Sequence, residues 1–292
     1  MDIWNSELEI SREREIKSKD YISAGEIGMP FLDRWLKMKG TPPTNPFDTR
    51  VLRIFACGSE FHHLIRKVFE KTGILINAEQ YVEIPATEKT LKVLGYYDIK
   101  IGGFSDWEIA KENIKNSDLS DITKEISYKL IEQFKIEYPL GLAETICEIK
   151  SINSNAFWHR KDYIAQGYKH HQFQLWTYLK AVNINQGKLF YISKDDLTLE
   201  ECPIFLDNKE LAKDWQEDVE TMTKYYKENI KPERENDVVF DKDKEKYQQN
   251  WRIGRSVYLT HITGKTKEQW EKETMSEVRK LNKELKEKKK NV

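Results

Sequence analysis

Two periods of apolar residues alternate along this chain. Pro30 opens a segment at 31–38 whose apolar residues return at helical spacing, and Ser23 is placed to cap a short helix just before it. Residues 40–46 are proline-rich and read as a loop. A longer helix is predicted over 48–72, with Leu52, Phe55, Leu64, Ile65, Val68 and Phe69 as its buried face and Gly73 as its C-cap. The period then shortens to two. Residues 74–84 and 91–101 read as strands, joined through a turn at 85–89 into a hairpin.

Residues 104–140 are mostly polar, with Ile122, Ile126 and Leu130 at helical spacing, and read as a helical insertion. The stretch 143–150, Ala-Glu-Thr-Ile-Cys-Glu-Ile-Lys, is β-branched and apolar enough to be a strand. A loop at 151–155, a helix over 162–182 and a strand at 188–193 follow. Strand, helix, strand in that order is a crossover unit, so the expected fold class is α/β, a central mixed β-sheet flanked by helices. Another helix is expected over 211–230 and a polar linker over 233–249. A charged helix over 268–290 carries a narrow stripe of Val278, Leu281 and Leu285, able to dock on the body or on a partner helix.

Composition narrows the class. Charged residues make up 33% of the chain and aromatic residues 12%, which fits a folded protein coated with charge rather than a disordered one. Lys and Arg (48) almost balance Asp and Glu (49), so any nucleic-acid surface has to be a local patch. Cys57, Cys147 and Cys202 are widely spaced and odd in number, which points to a reducing compartment. The N-terminus lacks an apolar leader and no apolar run is long enough for a bilayer, so a soluble cytoplasmic protein with no membrane partner is expected.

The candidate chemistry lies on these elements. Strand side chains alternate, so Glu148 and Lys150 project together while Ile149 points the other way. A carboxylate beside an ammonium at a strand end suits a site where a divalent cation and a phosphate meet. Asp98 sits in a strand between apolar neighbours, where an ionised carboxylate is costly unless paired or bound to metal. His62 follows Gly58 on the long helix, and glycine inside a helix marks a close approach. Gln174 and Tyr178, four apart, share one face of a helix. Trp158, Arg160, Lys161, Lys169 and His170, with Lys194 further on, mix basic groups and aromatic rings as nucleic-acid surfaces do.

In order, Gly58-x-x-x-His62, Tyr97-Asp98, Glu148-x-Lys150 and Gln174-x-x-x-Tyr178 resemble the motifs of the PD-(D/E)xK nuclease superfamily. Within it, the likeness is to the RecB-like branch of phage exonucleases and CRISPR-adaptation nucleases. The resemblance implies a restriction-endonuclease-like core over 21–230, with the insertion at 104–140, preceded by an N-terminal arm at 1–20 and followed by a helical extension at 231–292. It implies a Mg²⁺- or Mn²⁺-dependent deoxyribonuclease with one or two ions, held by His62, Asp98, Glu148 and the backbone carbonyl of Ile149. Lys150 would position or activate water, and Gln174 and Tyr178 would orient DNA and the catalytic groups. Trp158, Arg160, Lys161, Lys169, His170 and Lys194 would bind DNA.

The implied activity is an exonuclease on linear DNA ends in recombination, repair or phage DNA processing, in the host cytoplasm if the protein is viral. A helicase or a single-strand annealing protein is the implied partner. The alternatives are a catalytically idle DNA-binding or assembly protein, and a nuclease subunit active only with such a partner. One departure concerns the iron–sulfur cluster many RecB-like relatives carry. Trp251 and Tyr258 frame the corresponding stretch, but Ile253 and Ser256 stand where cysteines would, so no cluster is expected.

Overall fold

The protein is described by a computed structural model over residues 17–159, 161–242 and 244–290. Most of the N-terminal arm, and Arg160, therefore lie outside the described residues. In chain order, β1 (Ile22–Ser23) is followed by a 3-10 turn (Ala24–Glu26), α1 (Phe31–Met38), α2 (Thr49–Lys71), β2 (Leu75–Ile84) and β3 (Val93–Ile101). Next come α3 (Glu108–Lys115), α4 (Asp121–Glu137), β4 (Thr145–Ile152), α5 (Ser154–His159), α6 (Lys161–Gln166) and α7 (Lys169–Val182). The chain continues through β5 (Gln186–Ser193), β6 (Leu199–Phe205), α8 (Lys209–Lys227), β7 (Val238–Asp241) and β8 (Lys246–Gln249). It closes with α9 (Trp251–Gly254), α10 (Leu259–Thr263) and α11 (Lys267–Lys290).

The chain divides into two units, one of residues 21–28 and 53–220, the other of the remaining described residues. The first unit is built on a mixed sheet in the order β1-β3-β4-β5-β6, with β2 antiparallel to β3. Strands β4 and β5 run parallel over seven register pairs, from Ile146–Gly187 to Ile152–Ser193, as a crossover through helices requires. The fold is thus α/β with helices against a mixed sheet, as the residue pattern predicts. Ile99, Ile101, Cys147, Ile149 and Phe190 form a buried cluster, and Ile65 and Phe69 of α2 pack onto it. Burying these side chains is what fixes α2 against the sheet.

Local expectations fare unevenly. Gly73 ends α2 in the left-handed conformation, with φ +69°. The predicted buried face of α2 is only half right, because Phe55, Leu64 and Val68 are exposed while Ile65 and Phe69 pack inward. Ser23 makes no side-chain cap; it belongs to β1, parallel to the start of β3. The helix expected over 162–182 is broken at Gly167, whose φ is +79°, into α6 and α7.

The insertion is helical, but its apolar stripe differs from the expected one. Ile122 and Ile126 face solvent, and α4 instead buries Ser127 and Ile131. Ile131 joins Trp107, Ala110, Ile114, Phe104 and Ile74 in a small core of its own. The Trp107 indole donates to the Tyr138 carbonyl, and Phe104 bridges to Leu142, so the insertion is closed at its base.

In the second unit, Leu32, Leu36 and Tyr258 pack together, and Asn45 binds the 257–260 segment through its own N–H and its side-chain oxygen. Residues 29–52 therefore group with the C-terminal extension. The expected linker contains a hairpin, β7 and β8, whose short apolar run Val238-Val239-Phe240 sits in an otherwise polar stretch. Helix α11 docks on β8: Asn282 exchanges hydrogen bonds with the Tyr247 backbone, and Trp270 is buried against Ile253 and Leu259. Among the described residues, no helix is long and apolar enough to cross a membrane.

Candidate active site

One edge of β3 is shared by two strands. β1 pairs with Val93 and Leu94, and β4 pairs with Ile99, Lys100 and Ile101. Between them, residues 95–98 have no registered strand partner on that edge among the described residues, and side chains fill the space instead. At Gly95, an added Cβ would lie 2.5 Å from the Tyr178 ring, so only glycine admits that ring. The Tyr178 phenol is buried and has its pKa pushed far up by burial.

At the other end of the gap, Asp98 stands in for a strand. Its Oδ2 accepts the Ile149 N–H at 2.6 Å, and its Oδ1 meets His62 Nδ1 at 3.1 Å. His62 reaches it because α2 runs close to the end of β4: a Cβ on Gly58 would meet Ser151 Oγ at 3.4 Å. Burial works against the charged imidazole, but the Asp98 hydrogen bond and the Asp98 and Glu148 charges outweigh it, so the His62 pKa is raised. With Nδ1 on Asp98, Nε2 is the ring nitrogen left to meet a cation.

The second half of the site is a hydrogen-bonded chain. Lys150 Nζ donates to Glu148 Oε1 at 2.7 Å and to Gln174 Oε1 at 2.9 Å, and Gln174 Nε2 donates to the Tyr178 hydroxyl at 2.9 Å. Glu148 is 2% exposed, and its Oε2 is buried with no hydrogen-bond partner among the described residues. Burial, followed by the Asp98 charge, pushes the Glu148 pKa up to about 7, against the opposing pull of Lys150. A buried carboxylate oxygen without a donor is costly by itself and fits a cation ligand.

A pocket of about 10 Å³, room for one water-sized particle, lies against Asp98 and Ile149 and is also lined by His62, His63, Arg66 and Glu79. A strand residue in a hydrogen-bonded position turns its N–H and C=O to the same side, so the Ile149 carbonyl is directed toward Asp98 as well. Among the described residues, no group of three His, Cys, Asp or Glu side chains stands ready to hold a metal. Asp98 is turned to Ile149 and His62, and one oxygen of Glu148 is turned to Lys150. His62, Asp98, Glu148, Lys150, Gln174 and Tyr178 are nonetheless linked in two short hydrogen-bonded groups. Replacing Asp98 by Asn keeps an acceptor for the Ile149 N–H but removes the charge. If Asp98 is the metal ligand that the residue pattern implies, Asp98→Asn should weaken Mn²⁺ binding by about tenfold or more in titration calorimetry, and an unchanged isotherm removes Asp98 from that role.

The expected DNA-binding residues are less uniform. Trp158 is 51% exposed, its indole donates to Asp196, and Lys161 lies over its ring. Lys194 follows β5 directly, its N–H bound to the Ile152 carbonyl. Lys169 is committed to Asp214 at 2.6 Å and covers the Phe173 ring. The His170 ring lies 4.0 Å from that of His171.

The residue pattern did not single out Arg66 or Glu79, gave His63 no role beside His62, and named His171 only as one basic group of the aromatic-rich stretch 157–171. Glu79 takes φ +51° inside β2 between the pairs Ala78–Ile99 and Gln80–Tyr97, a conformation that glycine would have announced. His171 binds the Tyr191 hydroxyl, which also accepts the Tyr168 N–H. Burial, then the Lys150 charge, holds the His171 pKa well below its usual value.

An iron–sulfur cluster does not fit the residues present. Ile253 is 1% exposed in an apolar cluster, Ser256 Oγ accepts the Tyr258 N–H, and Cys57, Cys147 and Cys202 all belong to the other unit.

No protein-family model matches this chain, and no curated protein matches it in sequence. Among solved structures, the chain is similar to a crystal structure of a protein designated SSO0001, with a TM-score of 0.50 and 14% sequence identity, over 90% of this chain and 95% of that one. At that identity the likeness is one of fold.

Proposed function

We propose that this protein is a metal-dependent DNA nuclease of the PD-(D/E)xK type, an exonuclease acting on DNA ends. The observation that carries the reading is Glu148. A buried carboxylate keeps one oxygen without a donor among the described residues while the other holds Lys150, and Lys150 is in turn held by Gln174, itself anchored on Tyr178. That is a lysine held at one place and one orientation next to a ligand oxygen.

Glu148 Oε2, Asp98, His62 Nε2 and the Ile149 carbonyl would hold the ion, whose chemistry would be to neutralise a phosphate and to acidify a water near neutral pH. Oxygen ligands suit Mg²⁺, and one imidazole shifts the preference toward Mn²⁺. Lys150 places its ammonium beside the developing charge and orients the attacking water. Gln174 holds Lys150 through its oxygen and Tyr178 through its amide, so the helix face fixes the angle of the lysine.

A second reading, a subunit active only with a helicase or annealing partner or an idle DNA-binding protein, is supported by one observation. Asp98 already has two protein partners and would have to exchange one of them to meet an ion. End-labelled linear DNA and covalently closed circular DNA, each incubated with Mg²⁺, Mn²⁺ or EDTA, separate these. Metal-dependent loss of the linear form alone supports the exonuclease; cutting of the circle makes it an endonuclease. Binding without cleavage in either metal sinks the stand-alone enzyme.

A further inference from the structure

Arg66 lies one helical turn after His62 on α2, and residues four apart on a helix share a face. It lines the same small pocket as His62, Asp98 and Ile149. Its surroundings are unusual for a surface arginine. The Nε atom is buried and makes no hydrogen bond among the described residues; Glu70 Oε1 is 3.2 Å away but out of line. The other carboxylate it faces, Glu79, is 4.0 Å from Nη1, beyond hydrogen-bond distance. A guanidinium carries five N–H groups in a planar fork that matches two oxygens of a phosphate, and neither carboxylate engages that fork.

The charges around it define what it could take. Lys150 gives two of its three N–H groups to Glu148 and Gln174, and His62 is turned to Asp98. A phosphodiester entering beside the Asp98 and Glu148 carboxylates brings a further negative charge, and Arg66 brings to the pocket a permanent cation whose hydrogen bonds are not made by the described residues. Glu79, held at φ +51° where a non-glycine residue is strained, faces Arg66 from β2 as a second anion at the same spot. From these contacts we infer that Arg66 is a phosphate-binding residue of this site, receiving a non-bridging oxygen of the DNA strand in place of Glu70 and Glu79. The inference rests on the nuclease reading above and names the group that holds the substrate there.

The test uses the full chain and a short DNA duplex whose cleaved position has been mapped with the unaltered protein. Binding is followed by fluorescence anisotropy in EDTA across a series of salt concentrations, after circular dichroism has checked that each variant is folded. Arg66→Ala should weaken binding about tenfold and reduce the steepness of the log–log salt dependence by about one. Arg66→Lys, which keeps the charge but loses the fork, should keep the salt slope and lose part of the affinity. Single neutral methylphosphonates walked along the strand should weaken binding by the unaltered protein at one phosphate near the cleaved position and leave Arg66→Ala indifferent there. A purely structural role for Arg66 cannot produce that position-specific indifference. Unchanged affinity and slope in Arg66→Ala, or an equal loss at every phosphate, overturns the assignment while leaving the nuclease intact. Absence of metal-dependent cleavage by the unaltered protein overturns the parent reading, and the assignment falls with it.

Discussion

Lys150→Ala should abolish DNA cleavage, lowering turnover by about a thousandfold, while DNA binding and the fold are largely kept. The loss follows from geometry. Among the described residues, Lys150 is the group that links Glu148 Oε1 to Gln174 Oε1, so its removal takes the ammonium from both acceptors while the Gln174–Tyr178 bond stays. Removing one partner of a buried ion pair usually destabilises a protein by several kcal/mol, because the other charge is stranded. Here that cost is limited by the surroundings of Glu148. Burial and Asp98 already hold its pKa up to about 7, so loss of the ammonium pushes the carboxyl to its neutral form instead of leaving a bare charge in the core. Single-turnover cleavage of end-labelled DNA, with anisotropy for binding and circular dichroism for fold, checks all three expectations. Turnover matching the unaltered protein would remove Lys150 from the site.

The sheet and its crossover were legible because their signals are local. Alternation in 74–84 and 91–101 and the strand signal at 188–193 leave little freedom, and the parallel pairing of β4 with β5 follows from strand–helix–strand order alone. The residues of the two hydrogen-bonded groups were legible as spaced motifs, since Glu148 and Lys150 must share a strand face and Gln174 and Tyr178 a helix face.

What the sequence did not disclose depends on contacts between distant segments. Ile122 and Ile126 have helical spacing, yet α4 buries Ser127 and Ile131, because the core it meets is made by Trp107 and Ile114. The β7–β8 hairpin has one short apolar run, Val238-Val239-Phe240, and its second strand, Lys-Tyr-Gln-Gln, is polar and held by α11 through Asn282, so no long alternation marks it. Arg66 looks like one member of an i,i+4 surface pair with Glu70, and only the fold brings it beside Asp98. Lys169 reads as a DNA contact, and only the approach of α8 shows that Asp214 takes it.

Glu148 should also give the protein a characteristic pH dependence of stability. The carboxyl titrates near 4.5 when unperturbed and at about 7 in the fold, so between those values the folded state binds more protons than the unfolded one. Stability from this group is therefore fully present below about pH 4.5 and is lost as pH rises through about 7. His62 acts in the same direction, since its folded pKa is also raised, by Asp98 and Glu148 against the effect of burial. In EDTA, urea unfolding should thus show stability falling from pH 5 to pH 8, with a Glu148 share on the order of 3 kcal/mol. Glu148→Gln cannot ionise, so its curve should lose that share and keep a smaller slope from His62. Saturating Mn²⁺ should flatten the curve of the unaltered protein, because an ion that binds the deprotonated carboxylate stabilises the fold most where the proton is gone. Parallel curves for the two proteins in EDTA would mean that Glu148 is ionised and satisfied throughout, and the argument for its free oxygen as a cation ligand would fail.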